Sequence, residues 1–420
     1  MFALVDAVSM YASCEKVFDV SIHKRPVIVL SNNDGCVVAV CPIAKRLGFK
    51  KFVPFFQVAN EAKKARVVVR SSNYALYADL SQRMMDTCAR YAPESHVYSI
   101  DECFLRYDFT ETDSAFWYDL GIQIRKRVWR EVCLPVGVGF GPTPTLAKVA
   151  NHAAKKIQGF DGVAIIATES EKKAVLNQMD VTDVWGIGRR LGARFNSMGI
   201  TTALDLYKQT PSHMRNLFSI NVENTIRELR GEIRFNWDTE RPDKKEIYST
   251  RSFGKRITDK QQLRSALVTH AEIVATKLRK RGCLAQSAVI FATNSPHDDA
   301  PYYRKSLLFP FSTPTKDTRQ IISAVSDGID ALFMKGIKFY KCGVGLVDLV
   351  SENEHRQQDL FSSSADNASL MRCLDSINQR YGRNTLHFGA RQKHQLFDMR
   401  RGFLSKCATT RWEDIPRILC

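Results

Sequence analysis

The run Phe2-Ala-Leu-Val closes on Asp6, and far along the chain Tyr98-Ser-Ile closes on Asp101-Glu102, which sets three carboxylates at the ends of two predicted strands. Free carboxylates repel one another at pH 7, so a fold that gathers three of them is constrained to place cations between them; hard oxygen ligands suit Mg²⁺. The chemistry such a cluster serves is phosphoryl transfer. A lone Asp at a strand end is more simply explained by capping or a salt bridge. The trio favours metal binding.

At 420 residues the chain exceeds what one hydrophobic core holds, so two to four domains of roughly 100 to 150 residues are expected. Its 61 Lys and Arg against 44 Asp and Glu leave +17, the footprint of a polyanionic partner, with nucleic acid the leading candidate. The excess is segregated. Residues 45–70 carry eight basic side chains against Glu61, and residues 244–282 carry eleven against Glu246, Asp259 and Glu272. Cationic walls suit phosphates while an anionic floor suits metals. The 11 cysteines form no C-x-x-C pair, which argues against zinc or disulfide frameworks and for a reducing compartment. No signal peptide is read at the N-terminus, and no apolar stretch approaches the ~20 residues that span a bilayer.

Short β-branched runs alternate with helical stretches over the first 165 residues: Pro26–Leu30, Cys36–Val40, Val67–Val69, His96–Ile100 and Pro135–Phe140 read as strands, and Tyr74–Tyr91, Ser114–Val132 and Thr145–Lys156 as helices. The basic stretch before Asn73 reads as a small inserted lobe. From residue 166 the pattern is helical and includes Asp183-Val-Trp-Gly-Ile-Gly-Arg-Arg190, which resembles a helix-hairpin-helix. Gly186 and Gly188 would let backbone N–H groups approach a phosphate, with Arg189 beside them. After a polar linker at 236–246 the order strand, helix, strand, strand, helix, strand (βαββαβ) is expected over 247–352. A basic tail follows a Ser-rich joint.

Phe2–Asp6 with Met10-Tyr-Ala-Ser-Cys-Glu15, Tyr98–Glu102, Gly137-Val-Gly139, Leu146-Ala-Lys-Val-Ala-Asn151 and Val184-Trp-Gly-Ile-Gly188 together resemble the Y-family translesion DNA polymerases. Ser31-Asn-Asn-Asp-Gly-Cys36, Ser71–Asp79, Asn151–Lys156 and Arg227-Glu-Leu-Arg-Gly231 are similar to the UmuC-type branch. The resemblance implies an α+β multidomain fold: palm at 1–15 and 71–165, fingers at 16–70, thumb at 166–235, a C-terminal little finger at 247–352 and a tail at 353–420.

It also implies that Asp6, Asp101, Glu102 and the Ala7 carbonyl hold two Mg²⁺ ions, one activating a primer 3′-hydroxyl and the other holding the triphosphate. Tyr11 falls at the position of the family's sugar gate, and Lys45 and Lys155 fall where triphosphate contacts lie. Gly186, Gly188, Arg189 and Arg251 are the expected DNA contacts, and Cys36 and Val38 would face the nascent base pair. Pro42, Pro144 and Cys103 depart from the family's common residues. Gln357-Gln-Asp-Leu-Phe361 matches a clamp-binding pentapeptide through Gln357, Leu360 and Phe361. Implied partners are primer-template DNA, dNTP, a sliding clamp, a cleaved UmuD-type dimer and a RecA filament. The implied setting is the cytoplasm, at the nucleoid, with no membrane. A palm-type nucleotide cyclase and a non-catalytic, clamp-tethered DNA-binding subunit are the rival readings. A cyclase would need no helix-hairpin-helix, and intact carboxylates argue against the second.

Overall fold

The computed structural model describes residues 1–108, 113–236, 244–352, 366–382, 384–392 and 399–416. They fall into two compact units, Met1–Glu240 with Gly402–Cys420, and Arg241–Arg401.

In the first unit β1 (Phe2–Ala7) leads to α1 (Met10–Val17), then to β2 (Val27–Leu30), β3 (Val37–Val40), α2 (Pro42–Arg46), α3 (Phe55–Lys64) and β4 (Val68–Ser71). Next come α4 (Tyr74–Ala89), β5 (Glu94–Val97), β6 (Glu102–Arg106), α5 (Ser114–Val132), β7 (Val136–Gly141), α6 (Pro144–Lys156) and β8 (Val163–Ile165). The main sheet has the order β5-β6-β1-β7-β8 and is antiparallel except where β7 meets β8. Successive side chains of a strand point to opposite faces. Ala3, Val5 and Ala7 therefore join Leu80 and Met84 of α4 and Ile124 and Val128 of α5 in one core. Phe2 and Leu4 point the other way, to Phe104 and Ala147 of α6. Asp6 continues that second set.

Helix α6 can lie this close because β7 carries glycines where it crosses. A Cβ on Gly139 would sit 2.0 Å from the Asn151 backbone nitrogen, and one on Gly141 would sit 2.6 Å from the Leu146 carbonyl carbon. Asn151 rivets the contact, its amide donating to the carbonyls of Leu4 and Gly137 at 3.1 and 2.9 Å. The basic stretch expected as an inserted lobe builds its own sheet, β3-β2-β4.

One predicted strand is corrected. His96–Ile100 is not continuous: β5 ends at Val97 and residues 98–101 turn into β6, so Asp101 and Glu102 open a strand rather than close one. The turn is tied by Ser99. Its hydroxyl donates to Asp101 Oδ1 at 2.6 Å and accepts the N–H groups of Asp101 and Glu102, while the N–H groups of Tyr98 and Ser99 donate to the Glu102 carbonyl. Serine side chains bend backbone in this way.

Helices α7 (Glu169–Gln178), α8 (Arg189–Ser197), α9 (Ala203–Lys208), α10 (Pro211–Leu217) and α11 (Ile220–Leu229) follow, with a core of their own that includes Leu146 and Ala150 of α6. Buried Glu228 of α11 locks them to the sheet. Its carboxylate accepts the Thr145 N–H in the first turn of α6 at 3.0 Å, where a negative charge is favourable.

The second unit follows the expected βαββαβ order: β9 (Glu246–Ile257), α12 (Lys260–Arg279), β10 (Cys283–Thr293), β11 (Arg304–Thr315), α13 (Thr318–Leu332) and β12 (Phe339–Ser351). Its sheet runs β11-β10-β12-β9, all antiparallel. α12 and α13 share one apolar core with it. The segment expected as a single tail is divided. Helix α14 (Ala368–Tyr381) belongs to this unit, held by a two-pronged Arg279–Asp375 pair at 2.7 and 2.8 Å, whereas Gly402–Cys420 returns to the first unit. The candidate clamp residues Gln357, Leu360 and Phe361 lie outside the described residues. Among the described residues no helix is long and apolar enough to cross a membrane.

Candidate active site

Asp6 and Glu102 are direct cross-strand partners between β1 and β6. Opposed residues on neighbouring strands put their Cβ atoms about 4.5 to 5.5 Å apart on one face, and like charges in that position destabilise a sheet. Two lysines of α6 offset the cost. Lys155 donates to Asp6 Oδ2 at 2.5 Å and Lys148 to Glu102 Oε1 at 2.6 Å. Asp101 stands one residue before Glu102, and its carbonyl accepts the N–H of Ala7 at 2.9 Å. All four predicted ligand residues thus stand together at one end of the inner strands β1 and β6. Burial, the largest influence, pushes the Asp6 carboxyl up; Lys155 pulls it down, and the charges of Glu102 and Asp101 push it up again.

Past Ala7 the chain reverses at Ser9, whose φ of 50° is unusual for a residue with a side chain. The turn delivers Tyr11 on α1 beside the carboxylates: burial raises its phenol pKa first, then Tyr74 and Asp101. Tyr11 is stacked on Tyr77, centroids 4.5 Å apart and planes 14° apart, and Tyr74 meets its edge at 6.0 Å. The fully buried Tyr77 hydroxyl donates to Glu15 at 2.6 Å. The Tyr11 ring is therefore backed by a second, anchored ring.

Lys45 is exposed on α2, and partial burial, then the charges of Lys51 and Lys155, lower its pKa. Pro42 and Pro144 prove to be the first residues of α2 and α6, a position where the missing N–H costs nothing. Cys103 is buried in the core on the sheet face away from Glu102. Cys36 and Val38 are half-buried on the side of the small sheet opposite buried Val37. Gly186, with φ of 89°, and Gly188 are exposed in the loop before α8, and Arg189 is exposed as its first residue. Arg251 is exposed on β9, in the second unit.

Sequence reasoning missed Lys148. Its ammonium sits 4.5 Å from the Tyr98 ring centroid, 5.0 Å from Trp185 and 5.7 Å from Phe104, a cation–π cage that aims it at Glu102. The signal was available. Lys148, Asn151 and Lys155 follow the i, i+3, i+7 spacing of one helix face, and that face lies on the carboxylates.

The impB/mucB/samB family matches residues 5–152, its C-terminal domain 244–360, and its helix-hairpin-helix motif 169–200. Protein UmuC of Salmonella typhimurium is 41% identical over 100% of both chains. The chain belongs to the impB/mucB/samB family. Protein SamB of the same species is 40% identical over 99% of both chains, and DNA polymerase IV 2 of Bacillus subtilis is 26% identical over 90% of this chain and 91% of the relative. A chimeric Y-family DNA polymerase superposes with a TM-score of 0.66 at 19% identity, covering 84% of this chain and 100% of the other. The fold is thus that of a Y-family polymerase, with palm, fingers, thumb and a C-terminal little finger. Residues 368–418 match a domain of unknown function.

Y-family polymerases depend on divalent metal. Among the described residues no three His, Cys, Asp or Glu form a ready-made cage; Asp6 and Glu102 are each paired with a lysine. The donor set nevertheless fits. It consists of hard carboxylate oxygens on neighbouring strands, the kind Mg²⁺ binds alongside substrate phosphates.

Proposed function

We propose that this chain carries out template-directed, error-prone translesion DNA synthesis, joining a dNTP to a primer 3′-hydroxyl in SOS-type damage tolerance. The observation that carries the reading is the cross-strand pair Asp6–Glu102 with Asp101 at the start of β6. Asp6, Asp101, Glu102 and the Ala7 carbonyl are the ligands of two Mg²⁺ ions. Bound there, a metal pair supplies a lowered pKa for the attacking hydroxyl and neutralises charge on the leaving pyrophosphate. Lys155 and Lys45 hold the triphosphate, Lys155 exchanging its bond with Asp6 for one with phosphate. Lys148 positions Glu102. Tyr11 closes the pocket beneath the sugar, where a 2′-hydroxyl would meet its ring.

The backbone at Gly186 and Gly188, with Arg189, grips one strand of the primer-template, and Arg251 contacts DNA from the little finger. Gln357, Leu360 and Phe361 dock on a sliding clamp. The similarity to Protein UmuC supports a cleaved UmuD-type dimer and a RecA filament as further partners, acting in the cytoplasm on nucleoid DNA. Primer extension by the full chain, offered single dNTPs opposite each template base in Mg²⁺, tests the reading. Incorporation that follows the template is expected; cyclic nucleotide formed without DNA would contradict it.

A further inference from the structure

The site's backing ring is held by the far end of the chain. Asp34, Ser71 and Asn73 are buried polar residues at the junction between the small sheet and α4, and Gly402–Cys407 completes their hydrogen bonding. The Gly402 N–H donates to Asp34 Oδ2 at 2.7 Å, and the Ser71 hydroxyl donates to Asp34 Oδ1 at 2.5 Å. Ser71 and Phe403 exchange two further bonds of 3.0 Å: the Phe403 N–H donates to the Ser71 hydroxyl, and the Ser71 N–H donates to the Phe403 carbonyl. β4 is an edge strand, so this pairing also covers its open end. The Phe403 ring meets Phe55 of α3 edge-on at 5.9 Å.

Asn73 is the hub. Its amide nitrogen donates to the Ser405 hydroxyl at 3.0 Å and to the Lys406 carbonyl at 3.2 Å, and its oxygen accepts the Cys407 thiol at 3.7 Å and the Leu76 N–H at 3.3 Å. That last bond caps α4, whose first turn carries Tyr74 and Tyr77. Ser405 also lies against Glu15, the carboxylate that receives the Tyr77 hydroxyl, and with Tyr77 and Arg70 it opposes the rise that burial imposes on the Glu15 pKa. The other Glu15 oxygen stands 3.6 Å from Arg70 Nε, an ion pair beyond hydrogen-bond length. Asn73, which caps the Tyr77 helix, therefore bonds Ser405, and Ser405 also bears on the carboxylate that anchors the Tyr77 hydroxyl.

We infer that Gly402–Cys407 is a strap that positions the sugar pocket, with Ser405 fixing Tyr77 behind Tyr11 and so contributing to discrimination between deoxyribose and ribose. The inference rests on the reading of Tyr11 as the sugar gate. It gives part of the segment matching a domain of unknown function a role inside the polymerase unit, as a positioning element rather than a catalytic one.

The test compares kcat/KM for a dNTP and its rNTP in full-chain Ser405→Ala, Ser405→Thr, Tyr11→Ala and Trp412→Ala, the last being an 87% exposed residue of the same segment. A merely structural role lowers the active fraction and both values together, leaving their ratio unchanged. Ser405→Ala is expected to lose roughly fivefold of the ratio, the weight of one net hydrogen bond. Ser405→Thr, which keeps the hydroxyl, and Trp412→Ala keep it. An unchanged ratio in Ser405→Ala, or an equal loss in Ser405→Thr, overturns the strap. Full discrimination in Tyr11→Ala overturns the gate itself, a separate failure.

Discussion

The two large sheets of this chain share an economy of design and differ in what their strands present. The little-finger sheet buries one apolar face against α12 and α13 and leaves basic and aromatic side chains such as Arg251 and Tyr248 exposed. Asp317, the buried acid that follows its strand β11, serves architecture: it caps α13, receives Arg319 and accepts the Asn367 N–H. The palm sheet instead places two acids opposite each other on β1 and β6 and covers the cost with lysines from α6. Strands that only hold a fold avoid such a pair, because like charges opposite one another destabilise a sheet. The placement of charge, rather than the architecture, separates a binding surface from a catalytic one.

The contrast is broken most severely by Gly139→Ala. Its Cβ would collide with the Asn151 backbone, so α6 must leave the sheet, a loss expected to exceed about 4 kcal/mol. The unfolding transition of the palm unit should vanish or shift far down while that of the little finger stays; an unshifted palm transition would deny the close approach. Next in size is a pH effect confined to the second unit. His270 is buried against Ser249, with Arg251 and Lys277 adding positive charge, and burial first of all lowers its pKa to about 4. An unfolded histidine takes its proton near pH 6.5, so stability is complete above that value and falls as pH drops towards 4, by about 3 kcal/mol. Urea melts of the full chain at pH 7 and pH 4.5 measure it, and His270→Asn should flatten the difference in the little-finger transition. The smallest effect is expected for Lys148→Ala, which frees Glu102 and should cost about tenfold in kcat/KM with little change in melting. An equal loss in melting would make Lys148 structural.

Much of this was legible in the residues, and the failures have a pattern. The apolar run closing on Asp6 is local and legible, and β1 with its acidic end lies where the run places it. The alternating runs after Pro242 likewise yielded the βαββαβ order. The turn at 98–101 was misread because Tyr98 and Ile100 look like strand residues, and only the Ser99 hydrogen bonds reveal the bend. Lys148 was hidden among surface lysines although its helical spacing with Lys155 was in plain view. The return of Gly402–Cys407 had no sequence signal. It depends on main-chain groups meeting Asp34, Ser71 and Asn73, and backbone donors and acceptors are the same at every residue.

The carboxylate trio is tested most directly by single-turnover primer extension with Glu102→Ala and Asp101→Ala beside the unchanged chain, with DNA affinity read in the same samples. Incorporation should fall by about a thousandfold or more while DNA affinity moves less than about twofold. Extension at near the original rate in either variant would contradict it.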